Sequence, residues 1–295
     1  MAVLIDPPSW PAHGTVFSHL VSTVSLEELH TFAAAAGVSR RAFDEDHYDV
    51  PVGRYRELVD RGALEVSGTD LVRSLIRSGL RVPARRRGPK LRATLRSRWE
   101  RLRPDHPALG EELLDRWSEP HRSYHSMTHL LAVLEALDRL LGPSDARMRD
   151  TVLLAAWFHD AVYDGAAGDD ERRSAALAVE RLRGSVGEAG AREVARLVLL
   201  TIGHDPEAGD RAGELLCDAD LSVLGSAPED YARYAAAVRR DYAHVPDDAF
   251  TAGRRAVLQR LMALDPLYHS DTARALWAES AARNLARELA SLPPY

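Results

Sequence analysis

Residues Val152 to Phe158 are apolar on every side of a helix and run straight into the doublet His159-Asp160. A helix with no polar face has to be surrounded, so this chain must build a body of other helices around it. The doublet at its end brings an imidazole and a carboxylate to the edge of that body. Burying an ionised carboxylate without a partner is very costly. A metal ion is one natural partner, because it takes neutral imidazole and carboxylate together. A pair at an exposed helix end, satisfied by solvent, is the alternative.

The surrounding sequence supplies the helices. Leu130, Leu134, Leu137 and Leu141 recur at helical spacing, as do Val194, Leu197 and Val198. Further stripes are Tyr231, Tyr234, Val238 and Tyr242, then Phe250, Val257, Leu258 and Leu261, then Leu285, Leu289 and Leu292. From Asp105 to the end there is no strand-like alternation and no solenoid repeat. The front of the chain reads differently. Val3-Leu4-Ile5 is a short strand stopped by Pro7-Pro8, and Ser25 with Glu28 is a capping-box pattern opening a helix to about Ala36. A second strand falls at Ala63 to Val66, and a helix capped by Thr69 ends near Gly79. The expected fold class is mainly α: a small α/β domain over residues 1–83, a basic linker over 84–104 that runs into the helices, and a helical domain over 105–295.

Between Arg85 and Arg103 there are nine Lys or Arg and one Glu. This is a solvated linker and helix face or a strip facing phosphate or nucleic acid, and only Trp99 interrupts it as an aromatic. The net charge of −6 over 295 residues argues against a whole-chain nucleic-acid binder. The one cysteine, Cys217, excludes a disulfide framework and multi-cysteine metal sites. With no signal-peptide pattern and no long apolar run, the expectation is a cytoplasmic protein away from membranes. The oligomeric state is not legible. Twelve histidines turn attention to nitrogen and oxygen ligands.

Two more strings extend the doublet. In Tyr124-His125-Ser126-Met127-Thr128-His129 the histidines are four apart, one helical turn on one face. His129 shares its face with Val133, Ala136 and Leu140, so it points inward; a hydrogen-bonded core histidine is the plainer account of either one alone. Downstream, Asp218 and Asp220 point about 200° apart on a helix, so at most one of them faces a common site.

These residues together resemble the HD-domain superfamily of metal-dependent phosphohydrolases, over residues from about 90 to 292. The resemblance implies His129, His159, Asp160 and Asp220 as ligands of a divalent ion (Mn, Mg, Fe or Zn). Asp220 is preferred to Asp218 because Ala219-Asp220-Leu221-Ser222 resembles the run around the last ligand of cyclic-nucleotide phosphodiesterases. Those enzymes carry a Tyr-His-Asn-x-x-His string, matched here with Ser126 in the Asn position, which makes His125 the general-acid candidate. A bacterial branch of HD phosphohydrolases without assigned substrate shares the runs Glu119 to His125, Phe158 to Tyr163, Glu171 to Ala175 and Asp218 to Gly225. The implied activity is a phosphatase or phosphodiesterase acting on a nucleotide or other small phosphate ester. An ion-activated water would attack phosphorus while His125 protonates the leaving oxygen. The alternatives are a non-catalytic nucleotide- or metal-binding regulatory module and an HD-type di-iron oxygenase.

Two-metal members of the superfamily often have two further histidines before the last aspartate. Here only His204 lies between Asp160 and Asp220, so one ion is favoured. His204 touches substrate phosphate or a second ion, or is an ordinary helix C-terminal histidine. Asp164, four after Asp160, orients the attacking water or sits at a solvated helix end. A phosphohydrolase also needs cations for the phosphoryl oxygens. Arg254 lies on an apolar stripe and needs an anion, first a carboxylate partner and otherwise substrate. Arg122 is the second candidate, with Arg240 and Arg283 behind it.

The front segment has its own resemblance. Met1 to Trp10, His13-Gly14, Ser18-His19-Leu20 and Phe43 to Pro51 resemble the domain-of-unknown-function family 4031, over about residues 2 to 83. That family brings no activity. His13, His19, Asp46 and His47 form a polar or metal site there, or are turn and capping residues near prolines.

Overall fold

The computed structural model describes residues 3–12, 14–82, 88–166 and 168–293. The chain divides into two compact units, Met1–Gly88 and Pro89–Tyr295.

The first unit is a small α/β domain. Its elements in chain order are β1 (Val3–Ile5), β2 (Trp10–Ala12), β3 (Thr15–Ser22), α1 (Leu26–Ala35), β4 (Phe43–Asp44), β5 (His47–Pro51), α2 (Tyr55–Asp60), β6 (Leu64–Glu65) and α3 (Gly68–Arg77). The strands form one sheet in the order β4-β5-β3-β1-β6, with β2 also paired to β3. Only β1 and β6 run parallel; the other pairings are antiparallel.

Strand β1, helix α1, strand β6 and helix α3 lie where the sequence predicts them. Ser25 caps α1 by accepting the Glu28 N–H at 3.1 Å. The cap of α3 is Ser67, not Thr69: its hydroxyl accepts the Asp70 N–H at 3.1 Å. The sequence reading misses β3 and β5, the centre of the sheet. Along β3 the reason is burial on both faces, which erases alternation. Leu20 packs with Val3, Ile5, Leu29 and Tyr48, while its neighbour Val21 packs with Leu4, Leu71 and Leu75. Even Ser18 and Ser22 are fully buried.

The second unit is helical, with no strand among its described residues. It comprises α4 (Gly88–Leu102), α5 (Pro107–Arg116), α6 (Met127–Leu140), α7 (Arg149–Phe158), α8 (Asp169–Leu200), α9 (Arg211–Asp220), α10 (Pro228–Asp241), α11 (Asp247–Ala263), the short α12 (Asp271–Ala273) and α13 (Glu279–Ser291). Helix α8 is broken at Gly187, whose φ of 77° leaves the helical region at little steric cost. Helix α7 is the surrounded one: Val152, Leu154, Ala155, Ala156, Trp157 and Phe158 are all buried. On α11 Leu258 and Leu261 face the core, but Val257 is exposed, against its place in the predicted stripe. Among the described residues no helix is long and apolar enough to cross a membrane.

The basic strip falls partly outside the described residues, at Arg85, Arg86 and Arg87. The remainder is the amphipathic helix α4, which buries Leu91, Leu95 and Trp99 in the core. Its polar face meets carboxylates: Arg92 lies 2.8 Å from Glu111 and 2.7 Å from Asp115, and Arg98 lies 2.6 Å from Asp138. Arg96 reaches Glu111 at 2.5 Å. Arg92, Arg96 and Arg98 thereby join α4 to α5 and α6.

Helix α5 approaches α4 at Gly110. A Cβ built there would sit 2.6 Å from Nε1 of Trp99. That indole is 1% exposed and donates to the His106 carbonyl at 2.8 Å, so it has nowhere to go. Gly110→Ala is expected to lower the unfolding free energy by about 1–3 kcal/mol through overpacking. Urea denaturation checks this, and an unchanged midpoint would mean that the helices separate without cost.

Candidate metal centre

Three helices end or pass at one point in the second unit. His129 comes from the first turn of α6. His159 and Asp160 follow the last residue of α7, and Asp220 is the last residue of α9. His129 Nε2 lies 3.1 Å from His159 Nε2, 3.0 Å from Asp220 Oδ1 and 3.7 Å from Asp160 Oδ2. His159 Nε2 lies 3.2 Å from Asp160 Oδ2 and 3.5 Å from Asp220 Oδ1. His129, His159 and Asp220 offer ligand atoms all within 4.8 Å of one another, a spacing that one small cation can bridge, and Asp160 stands beside them through its contacts to the two imidazoles. The tautomer fits as well. His159 Nδ1 donates to the Ala156 carbonyl at 2.8 Å, which leaves the Nε2 lone pair directed into the cluster.

The electrostatics point the same way. Burial alone pushes the His159 imidazole down, but Asp160 and Asp220 override it and hold it well above its ordinary value. Burial also works to raise Asp220, yet the charge of His159 and hydrogen bonds from His129, His159 and His204 hold it well below the carboxylate range. Asp160 is lowered in the same manner, its burial being outweighed by the charge and hydrogen bond of His159. For His129 burial prevails over Asp220, and its basicity falls. The charged imidazole of His159 thus holds both carboxylates ionised, and a cation taking its Nε2 would replace that charge.

The choice between the two late aspartates is resolved by their contacts. Asp218 is fully buried on the other side of α9, where it accepts the N–H groups of His269 and Ser270 at 2.7 and 2.8 Å and the Ser270 hydroxyl at 2.6 Å. It holds the loop before α12. His204, in the turn after α8, joins the cluster by a 2.8 Å contact from Nε2 to Asp220 Oδ2.

His125 is not on the helix predicted for it, because α6 begins only at Met127. The preceding turn still brings its ring within 6.0 Å of His129, centroid to centroid. Its Nδ1 lies 3.1 Å from Asp241 Oδ2 and its ring stacks on Tyr163 at 4.2 Å. Asp241 is fully buried and also accepts the backbone N–H of Ser123 at 2.5 Å and of Tyr124 at 3.1 Å. No sequence spacing points to Asp241, which is 116 residues from His125.

Three predicted residues are placed elsewhere. Asp164 does not share a helical face with Asp160, because α7 has already ended. It is exposed and paired with Arg173 at 2.5 Å, whose guanidinium lowers it. Arg122 is buried and spends its donors on the carbonyls of His125, Asp160 and Ala161 and on Glu119. It braces the loops of the site with four of its five N–H donors and is not among the residues that line the cavity described below. Arg254 forms a two-pronged pair with Glu288 at 2.7 and 2.9 Å and donates to the Tyr234 hydroxyl. The carboxylate partner is the one realised. Trp117, unremarked in the sequence, packs its ring 5.3 Å from that of His159 and donates to the Trp157 carbonyl at 3.0 Å.

The cluster floors a cavity of ≈ 720 Å³. His125, His129, Asp160, His204 and Asp220 line its polar end, and Tyr124, Tyr234, Tyr242 and Phe250 line its walls. Arg172 and Arg260 also border it. Both are exposed, and neither has a carboxylate partner among the described residues. In the first unit, His19 and His47 come together, with Asp46 against His47; His13 lies outside the described residues.

Residues 3–78 match the family model described as protein of unknown function (DUF4031), in agreement with the resemblance of the front segment. No curated protein and no solved structure matches the chain.

Asp218 provides a stability test that is separate from the cluster. Asp218→Ala leaves two buried N–H groups and a hydroxyl without their acceptor, at roughly 1–3 kcal/mol for each group left unsatisfied. The unfolding free energy measured in urea without metal is expected to fall by several kcal/mol, while zinc content per folded chain stays at the wild-type level.

Proposed function

We propose that the helical unit is an HD-type metal-dependent phosphohydrolase acting on a nucleotide or another small phosphate ester. The convergence of His129, His159, Asp160 and Asp220 beside a cavity that His129, Asp160 and Asp220 line carries this reading. Those four side chains would hold the ion. A divalent ion bound there supplies Lewis acidity toward a phosphoryl oxygen and a bound water of lowered pKa.

The chain's own residues supply the rest. Asp241 fixes the His125 ring through Nδ1, so Nε2 is the atom that gives a proton to the leaving oxygen. Arg172 and Arg260 are the cations at hand for the phosphoryl oxygens, in place of the engaged Arg122 and Arg254. The mixed aliphatic and aromatic lining, with Tyr124, Tyr234, Tyr242 and Phe250 among aliphatic side chains, suits the apolar part of a small ester.

Two variants test this. Asp160→Ala removes a carboxylate from the cluster, so metal content and turnover are expected to fall together, and the stabilisation conferred by the ion is lost as well. Full metal occupancy in that variant would remove Asp160 from the ligand set. His125→Ala is expected to keep metal and fold but to lose on the order of 10² to 10⁴ in kcat on esters with poor leaving groups. On a nitrophenyl phosphate the loss is expected to be much smaller, since that leaving group needs little protonation. Equal losses on both substrates would make His125 a positioning residue. Stabilisation by a nucleotide without any product would make the unit a regulatory binder, and two irons per chain would reopen the oxygenase reading.

A further inference from the structure

The first unit assembles a second cluster on its sheet. In the β3–β5 register His19 stands directly opposite Asp49, and His47, two residues before Asp49, projects from the same face of β5. The three side chains offer ligand atoms all within 4.8 Å of one another. The imidazole rings are 5.1 Å apart and nearly edge to face, and His47 Nε2 lies 3.2 Å from Asp49 Oδ1.

Behind each imidazole stands a buried carboxylate. Asp6 Oδ2 is 2.9 Å from His19 Nδ1, and Asp46 Oδ1 is 2.7 Å from His47 Nδ1. Both carboxylates are anchored by backbone: Asp6 accepts the His19 N–H at 2.5 Å, and Asp46 accepts the Val82 N–H at 2.6 Å as well as Arg81 at 3.3 Å. A carboxylate on Nδ1 fixes that nitrogen as the donor and turns the Nε2 lone pair outward. Here two histidines are set up this way and face one carboxylate.

We propose that His19 Nε2, His47 Nε2 and a carboxylate oxygen of Asp49 form a divalent transition-metal site in the N-terminal unit, of the zinc, cobalt or nickel type. Two imidazoles with one carboxylate suit these ions and not magnesium or calcium, which take all-oxygen shells. Asp6 and Asp46 position the two histidines. The side chains of His19 and Asp49 are 26% and 46% exposed, so the site faces solvent, as sites do where a water or an incoming anion completes the shell. Its residues are all in the first unit, so it stands whether or not the helical cluster binds metal.

Zinc bound per chain, measured by equilibrium dialysis on the full-length protein, tests it. His19→Ala is expected to remove one zinc relative to wild type, and Asp49→Asn, a near-isosteric change at a half-exposed position, to weaken that same ion more than 10-fold. Asp6→Asn, acting through His19, is expected to weaken it about 10- to 100-fold. His19→Ala combined with Asp160→Ala separates the two clusters. If Asp160→Ala alone leaves the zinc count unchanged while His19→Ala lowers it, Asp160 leaves the ligand set of the helical cluster and this reading stands. Wild-type zinc content and affinity in both His19→Ala and Asp49→Asn would overturn the proposal, whatever the count in Asp160→Ala. Displacement of that zinc by millimolar magnesium would overturn its assignment to the transition-metal class.

Discussion

The helical unit is organised by the need to place two ionised carboxylates beside two imidazoles inside an apolar body. Asp160 and Asp220 stay charged there only because positive charge is held between them. That requirement fixes where three helices stop or pass. Helix α7 ends at Phe158 so that His159 and Asp160 emerge at the junction, α9 ends on Asp220, and α6 begins just in time to aim His129 at both. The apolar run that makes α7 buried on all sides is the means by which its polar end reaches the centre of the fold.

A set of groups that touch neither ligand nor cavity holds this junction in shape. The guanidinium of Arg122 ties together the carbonyls of His125, Asp160 and Ala161, which belong to the loops carrying His125 and one carboxylate of the cluster. Such a guanidinium works by filling acceptors that would otherwise be buried and unpaired. Asp241 does the same for donors, taking two backbone N–H groups as well as His125. Trp117 packs against His159 and His129 and bonds to the Trp157 carbonyl, so the walls of α5 and α7 hold the rings. Of the two arginines weighed from the sequence as phosphate candidates, Arg122 is spent on these loops, and Arg254 is paired with Glu288 while also lining the cavity. Arg172 and Arg260, on the rim of the cavity, escape notice because nothing in their spacing sets them apart from other surface arginines.

What was legible in the sequence follows from what local pattern encodes. The helices, the buried run of α7 and the inward face of His129 depend on a period of 3.6 residues, which is a local property. The bringing together of His129, His159, Asp160 and Asp220 is not local; it was reached through resemblance to a family. Spacing misled where the helix stopped earlier than assumed: Asp164 cannot lie one turn after Asp160 when the chain has left α7 at Phe158. Strand β3 was hidden because both its faces are covered, and β5, whose Tyr48 and Val50 alternate with His47 and Asp49, is a run of only five residues. Without those strands Asp49 could not be paired with His19, and Asp6, at the end of β1, gave no sign of its role.

The two units reach a similar arrangement of ligand atoms by different backbone geometry. In the helical unit the donors come from helix ends, where side chains from separate elements converge and where each element contributes one or two groups. On the sheet the same result needs only two neighbouring strands, because a cross-strand pair and a residue two positions along share one face. The difference shows in how the imidazoles are oriented. His159 is set by a backbone carbonyl that its own helix supplies at Ala156. His19 and His47 have no such carbonyl to hand, since strand carbonyls are spent on the ladder, and each is set by an aspartate instead. A neutral carbonyl leaves the charge of the cluster to Asp160 and Asp220 alone. The aspartates behind His19 and His47 add negative charge directly behind the two rings, where the helical cluster has a neutral carbonyl behind His159.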